Sequence, residues 1–75
     1  MEKANREAFL KASDLRGCSL DQLKEIVREA RQILLDLRTE AALMGHAEKP
    51  HLLKACRRLI ARALTFIKEK EHIHA

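Results

Sequence analysis

An all-α fold is predicted for this chain: two long helices folded back as an antiparallel, coiled-coil-like hairpin, preceded by a short helix, in one small domain over residues 1–75. Three observations predict it. Apolar residues recur at helical spacing over residues 20–44 and again over 50–70. The 2 Gly and the 1 Pro stand at the edges of these stretches, never inside them. Aromatic residues make up 3% and charged residues 35%, which suits long amphipathic helices and denies a large enclosed core.

The first element is expected over residues 2–16. Ala4, Ala8, Phe9, Ala12 and Leu15 give it a broken apolar stripe, and Gly17 is expected to end it in a left-handed conformation. Ser19 is a good N-cap for the first long helix, and Gln22 stands three residues on, as in a capping box. Leu23, Ile26, Val27, Ala30, Ile33, Leu34, Leu37, Ala41 and Met44 then form one apolar stripe. Lys24, Arg28, Arg31 and Arg38 flank it on one side. Asp21, Glu25, Glu29, Asp36 and Glu40 gather on the other, and the Glu25–Arg28 spacing offers no strong pairing pattern.

Gly45 closes the helix, residues 46–49 connect, and Pro50 opens the second long helix, where its missing donor costs nothing. That helix is expected to reach residue 70, with 71–75 as a frayed tail. Two such helices joined by so short a link must run antiparallel. Leu23, Ile26, Ala30, Ile33, Leu37 and Ala41 then meet Leu52, Cys56, Leu59, Ala63 and Phe66 along a single seam. Leu35 and Leu43 fall off that seam and Leu53 and Leu64 at its edge, so all four are candidates for a second protein surface.

A chain of this length buries only roughly 60% of its unfolded surface, so a partner or covalent staples are the usual remedies. Staples are not expected: Cys18 and Cys56 read as two reduced thiols, with Cys56 on the packing side. No apolar run approaches the ~18–20 residues that span a bilayer, so no membrane partner is expected. Glu2, Lys3, Arg6, Glu7 and Lys11 leave no apolar signal region.

The histidines at 46, 51, 72 and 74 have no metal-ligand spacing with the cysteines, so no metal or other cofactor is expected. A Cys/His nucleophile pair needs a pocket, and a helical hairpin is expected to have none. There is no Gly-rich phosphate loop. The chain is not expected to be an enzyme.

One constellation has a mechanism. Residues 1–19 hold four basic and three acidic groups, residues 20–44 four and five, and residues 45–75 seven and three. The whole excess of +4 therefore resides in the last segment. From Lys49 to Lys68 there are six Lys/Arg and no Asp or Glu. At ~100° per residue, Lys54, Arg57, Arg58, Arg62, Thr65 and Lys68 occupy an arc of about 140°, and the apolar residues fill the opposite side. Ala61 and Thr65 among the cations let the backbone approach a surface closely. Thr65 can donate to a phosphate oxygen, and the arginines can grip phosphates in bidentate fashion. Without aromatic interleaving, stacking on single-stranded bases is not expected, and backbone and shape recognition of folded RNA fits better.

Several segments resemble the small universal large-subunit ribosomal protein family numbered twenty-nine in the bacterial scheme. Over roughly residues 14–70 these are Asp14-Leu15-Arg16, Ser19-Leu20-Asp21-Gln22-Leu23 and Leu34-Leu35-Asp36-Leu37-Arg38. The most specific part is Lys49-Pro50, Lys54, Arg57-Arg58, Ile60-Ala61-Arg62 and Thr65. The resemblance implies a helical hairpin on large-subunit ribosomal RNA of the 23S type, at the rim of the peptide exit tunnel. It implies large-subunit protein twenty-three as a neighbour, and proximity to exit-site factors such as a chaperone or targeting particle. It gives an RNA-facing role to Arg38, Lys54, Arg57, Arg58, Arg62 and Thr65, and a ribosomal location in the cytoplasm or an organelle. Residues 1–13 and the histidine-bearing tail lie outside it. A second reading stays open on the off-seam leucines: an antiparallel coiled-coil module that pairs with protein and does not bind RNA.

Overall fold

The computed structural model describes the backbone of residues 3–12 and 14–73 and the side chains of residues 6–10 and 14–72. Three helices follow in order: α1 (Lys3–Ala12), α2 (Leu20–Met44) and α3 (Pro50–Ile73), with no strand among the described residues. The start of α2 lies beside the end of α3, where Lys24 Nζ stands 3.9 Å from Glu71 Oε1. The end of α2 and the start of α3 line one cavity at the loop. The two long helices are therefore antiparallel, and the molecule is a rod of 45 × 19 × 16 Å.

Local chemistry sets the bounds of α2. The Ser19 hydroxyl accepts from the Gln22 amide at 3.3 Å, and the Gln22 side chain accepts from the Ser19 amide at 2.8 Å, completing the expected capping box. At the other end Gly45 adopts φ +80°, a left-handed position that costs an L side chain energy.

The first helix differs from expectation. It ends at Ala12 instead of continuing to residue 16, and its expected start at residue 2 lies outside the described residues. Local hydrogen bonds compete with the helix beyond it. The Asp14 carboxylate accepts from the Arg16 amide at 3.1 Å, and the Cys18 amide donates to the Leu15 carbonyl at 3.3 Å. Gly17 sits in this turn without a left-handed φ, so it does not end a helix in the manner expected. The third helix runs past the expected end at 70 to Ile73. Lys70 lies in its last turn, where a cation faces the carbonyl end favourably.

The seam between α2 and α3 buries Leu23, Val27, Ala30 and Ile33 against Leu52, Cys56, Leu59 and Ala63. Leu23, Ala30, Cys56 and Ala63 are fully shielded. Small residues at the contact let the helices approach closely. Val27 is the more deeply buried residue at that level, and Ile26 is partly buried and packs against the same core.

The hairpin has more than one seam. Helix α1 packs on α3, and Leu10 and Leu15 join the core from the N-terminal segment. Leu10 was outside the expected stripe of that helix. Arg6 follows it inside, at 5% exposure, with Nη2 donating to Glu40 Oε1 at 3.2 Å. At the next position Glu7 reaches Lys49 at 3.6 Å and His51 at 3.9 Å. One flank of the hairpin is thus closed by an element that joins α2, the loop and α3.

Candidate nucleic-acid interface

Helix α3 positions the interface. Its buried residues Leu52, Cys56, Leu59 and Ala63 recur every three or four positions and fix its rotation against α2. The opposite side therefore turns outward. Lys54, Arg57, Arg58, Arg62, Thr65 and Lys68 are all exposed, as is Ala61 among them. None of the five cations has an ion-pair partner among the described residues. Lys49, the first cation of the acid-free run, is instead engaged by Glu7 of α1.

Two expected features differ. The Thr65 hydroxyl donates back to the Ala61 carbonyl at 2.9 Å, so in this structure its proton is used within the helix and its lone pairs face outward. Arg38 is exposed but belongs to α2. By helical geometry it lies about 80° from the α2 stripe centre, whereas Lys54 lies about 180° from that of α3. The α3 residues come together on one face, and Arg38 stands apart from them. On α2, Arg28 Nη1 meets Glu25 Oε1 at 2.8 Å, a pair the sequence spacing did not lead us to expect.

Sequence reasoning missed Arg6, the one charged side chain buried among the described residues, and with it the anchoring of α1. It also expected no pocket. A cavity of about 40 Å³ lies at the loop end, lined by Arg6, Glu40, Glu48, Lys49, Leu52 and Leu53 among others. Neither a cysteine nor a histidine lines it. Cys56 is shielded in the seam, where burial pushes its thiol pKa up and the positive Arg6 partly offsets this. Among the described residues no group of three or more His, Cys, Asp or Glu is gathered for a metal. No helix of the described residues is long and apolar enough to cross a membrane.

Residues 13–70 match the family described as Ribosomal L29 protein. The chain belongs to the ribosomal L29 protein family. It is similar to the large ribosomal subunit protein uL29 of Methanocaldococcus jannaschii, at 39% identity over 66 residues, covering 88% of this chain and 94% of the relative. The protein of the same name from Persephonella marina is 42% identical over 62 residues, covering 83% and 90%. That from Ureaplasma parvum is 48% identical over 60 residues, covering 80% and 79%. No solved structure matches significantly. Membership makes the chain a structural, non-enzymatic constituent of the large ribosomal subunit with a cytoplasmic, ribosomal location. The α1 helix, Lys3–Ala12, lies ahead of the matched residues.

Proposed function

We propose that this L29-family chain binds large-subunit ribosomal RNA of the 23S type through the basic face of α3, near the polypeptide exit tunnel. Lys54, Arg57, Arg58, Arg62 and Lys68 neutralise phosphates there. Ala61 and Thr65 keep the contact close. The Thr65 hydroxyl donates to a phosphate oxygen by releasing the Ala61 carbonyl, or accepts from a ribose hydroxyl while it holds that carbonyl. Arg38 on α2 reaches a separate phosphate or none. Protein twenty-three is the neighbouring subunit protein, and exit-site factors such as a chaperone or targeting particle dock within reach.

The observation that carries this reading is the row of exposed, unpaired cations on a helix whose other side is fixed in a seam. Surface cations on an ordinary solvated helix are interspersed with carboxylates, and these are not. The planar guanidinium fork of an arginine loses less freedom per hydrogen bond to phosphate than a lysine ammonium does. Replacing Arg58 and Arg62 together by Glu is expected to abolish incorporation into the large particle while leaving helicity by circular dichroism unchanged. Both side chains are exposed and contribute nothing to the seam. Normal incorporation of the double variant in a salt-washed particle would refute the reading. A salt-insensitive oligomer with no affinity for RNA would favour the coiled-coil module instead.

A further inference from the structure

The flank of the hairpin opposite α1 is open. There α2 and α3 enclose a groove of about 540 Å³ lined by Lys24, Val27, Arg28, Arg31, Gln32, Leu35, Leu64 and Ile67. Its floor is aliphatic, and Leu35 and Leu64 are 57% and 41% exposed. Its rim holds three cations and one amide, and no carboxylate lines it. Arg31 has no ion-pair partner among the described residues. Lys24 and Arg28 make pairs with Glu71 and Glu25 that are exposed on both sides, and such pairs are weak and readily exchanged.

We propose that this groove docks an acidic amphipathic helix of a protein partner. The apolar side of that helix covers Leu35, Leu64 and Ile67, and its carboxylates meet Lys24, Arg28 and Arg31. Charge complementarity selects the occupant. A second copy of this chain would bring its own cations to the rim, and a basic segment would be repelled. The aliphatic floor selects protein over RNA, because a duplex presents phosphates and sugars but no apolar ridge to cover leucines, and no aromatic side chain is present for a base to stack on. By helical geometry Leu64 lies about 80° around α3 from Lys54 but only about 20° from Arg57 and about 40° from Lys68, so the groove adjoins one edge of the basic face. The two surfaces share that edge, but the groove proposal rests on Arg31, Leu35, Leu64 and Ile67 and does not depend on the RNA reading.

The test is a titration of the full isotope-labelled chain, followed by amide chemical shifts. The titrant is a synthetic helix with Leu at i, i+3, i+4 and i+7 and Glu on both flanks, set against a scrambled peptide of the same composition. Shifts confined to the groove residues are expected, with the scrambled peptide binding at least about tenfold more weakly. Leu35→Glu and Arg31→Glu, both at exposed positions, are each expected to weaken binding by a similar factor. The Arg58/Arg62 double variant is expected to bind the peptide normally, so failure of this proposal and failure of RNA binding read out separately. The proposal is overturned by equal binding of the scrambled peptide, by shifts elsewhere or none, by self-association through the groove, or by an RNA duplex perturbing Leu35 and Leu64.

Discussion

Arg6 shows how one residue can tie an added helix to the hairpin. Its side chain is nearly fully buried, pairs with Glu40, and leaves Nε with no hydrogen-bond partner. A buried charge with an incomplete partner set is costly, and removing its one acid leaves it worse off. Glu40→Gln is therefore expected to destabilise the fold by ~1–3 kcal/mol. Arg6→Ala is expected to cost a similar ~1–3 kcal/mol through lost packing. Arg6→Met keeps the stem, removes the orphan Nε and is expected to be near neutral. Chemical denaturation followed by circular dichroism ranks the three. The sequence could not reveal Arg6, because a cation in a short helix reads as solvated and its acid lies 34 positions away. Cys56 was legible, since its place in the seam follows from helical spacing. Burial raises its thiol pKa, with Arg6 opposing. The folded state thus favours the neutral thiol. Its contribution is complete below the unfolded thiol's pKa and is lost as pH climbs through the raised folded value. Stability should fall in alkaline solution, and Cys56→Ala should reduce that fall. At neutral pH an alkylating reagent should reach Cys56 only on unfolding, as mass spectrometry of labelled chains would show.

Among the elements, the two long helices and the presence of a short N-terminal one were legible, and the end of the short one was not. The stripe in α2 is continuous and has an N-cap and a C-terminal glycine of its own, so local signals and packing agree. In α1 they conflict, because Leu15 continues the apolar spacing while the hydrogen bonds of Asp14 and Leu15 form a turn. Leu15 is buried all the same, but as a loop residue. The two glycines separate these cases by experiment. A Cβ at either position would meet nothing within 4 Å, so neither substitution is opposed by a clash. Only Gly45 has a left-handed φ. Gly45→Ala is expected to lower stability by ~1–2 kcal/mol, the cost of placing an L side chain in that region. Gly17→Ala is expected to be neutral or stabilising by up to ~1 kcal/mol, because it restricts only the unfolded chain. Thermal denaturation of the two variants gives the comparison, and equal losses would show that Gly17 has a conformational role of its own.

At the scale of the whole molecule, the charge pattern was readable but the shape that divides it was not. Residues 45–75 hold the +4 excess, and helical spacing alone put their cations on one side of α3. It also places a basic strip on α2 that could extend the same footprint. The folded rod puts Lys24, Arg28 and Arg31 along an apolar groove and leaves Lys54, Arg57, Arg58, Arg62 and Lys68 on the outer side of α3. The salt dependence of RNA binding can test this division. Each phosphate neutralised releases counterions, so log affinity falls against log salt by about 0.9 per contact on duplex, or about 0.7 on single strands. Arg58→Gln and Arg62→Gln should each reduce the slope by about one such increment, and together by about two. Arg31→Gln should leave it unchanged, because that cation serves the groove. Arg38→Gln measures whether the α2 cation nearest the loop reaches phosphate. If Arg31→Gln flattened the slope as Arg58→Gln does, RNA would be lying across the groove, and the hairpin would present one continuous basic surface instead of two distinct ones.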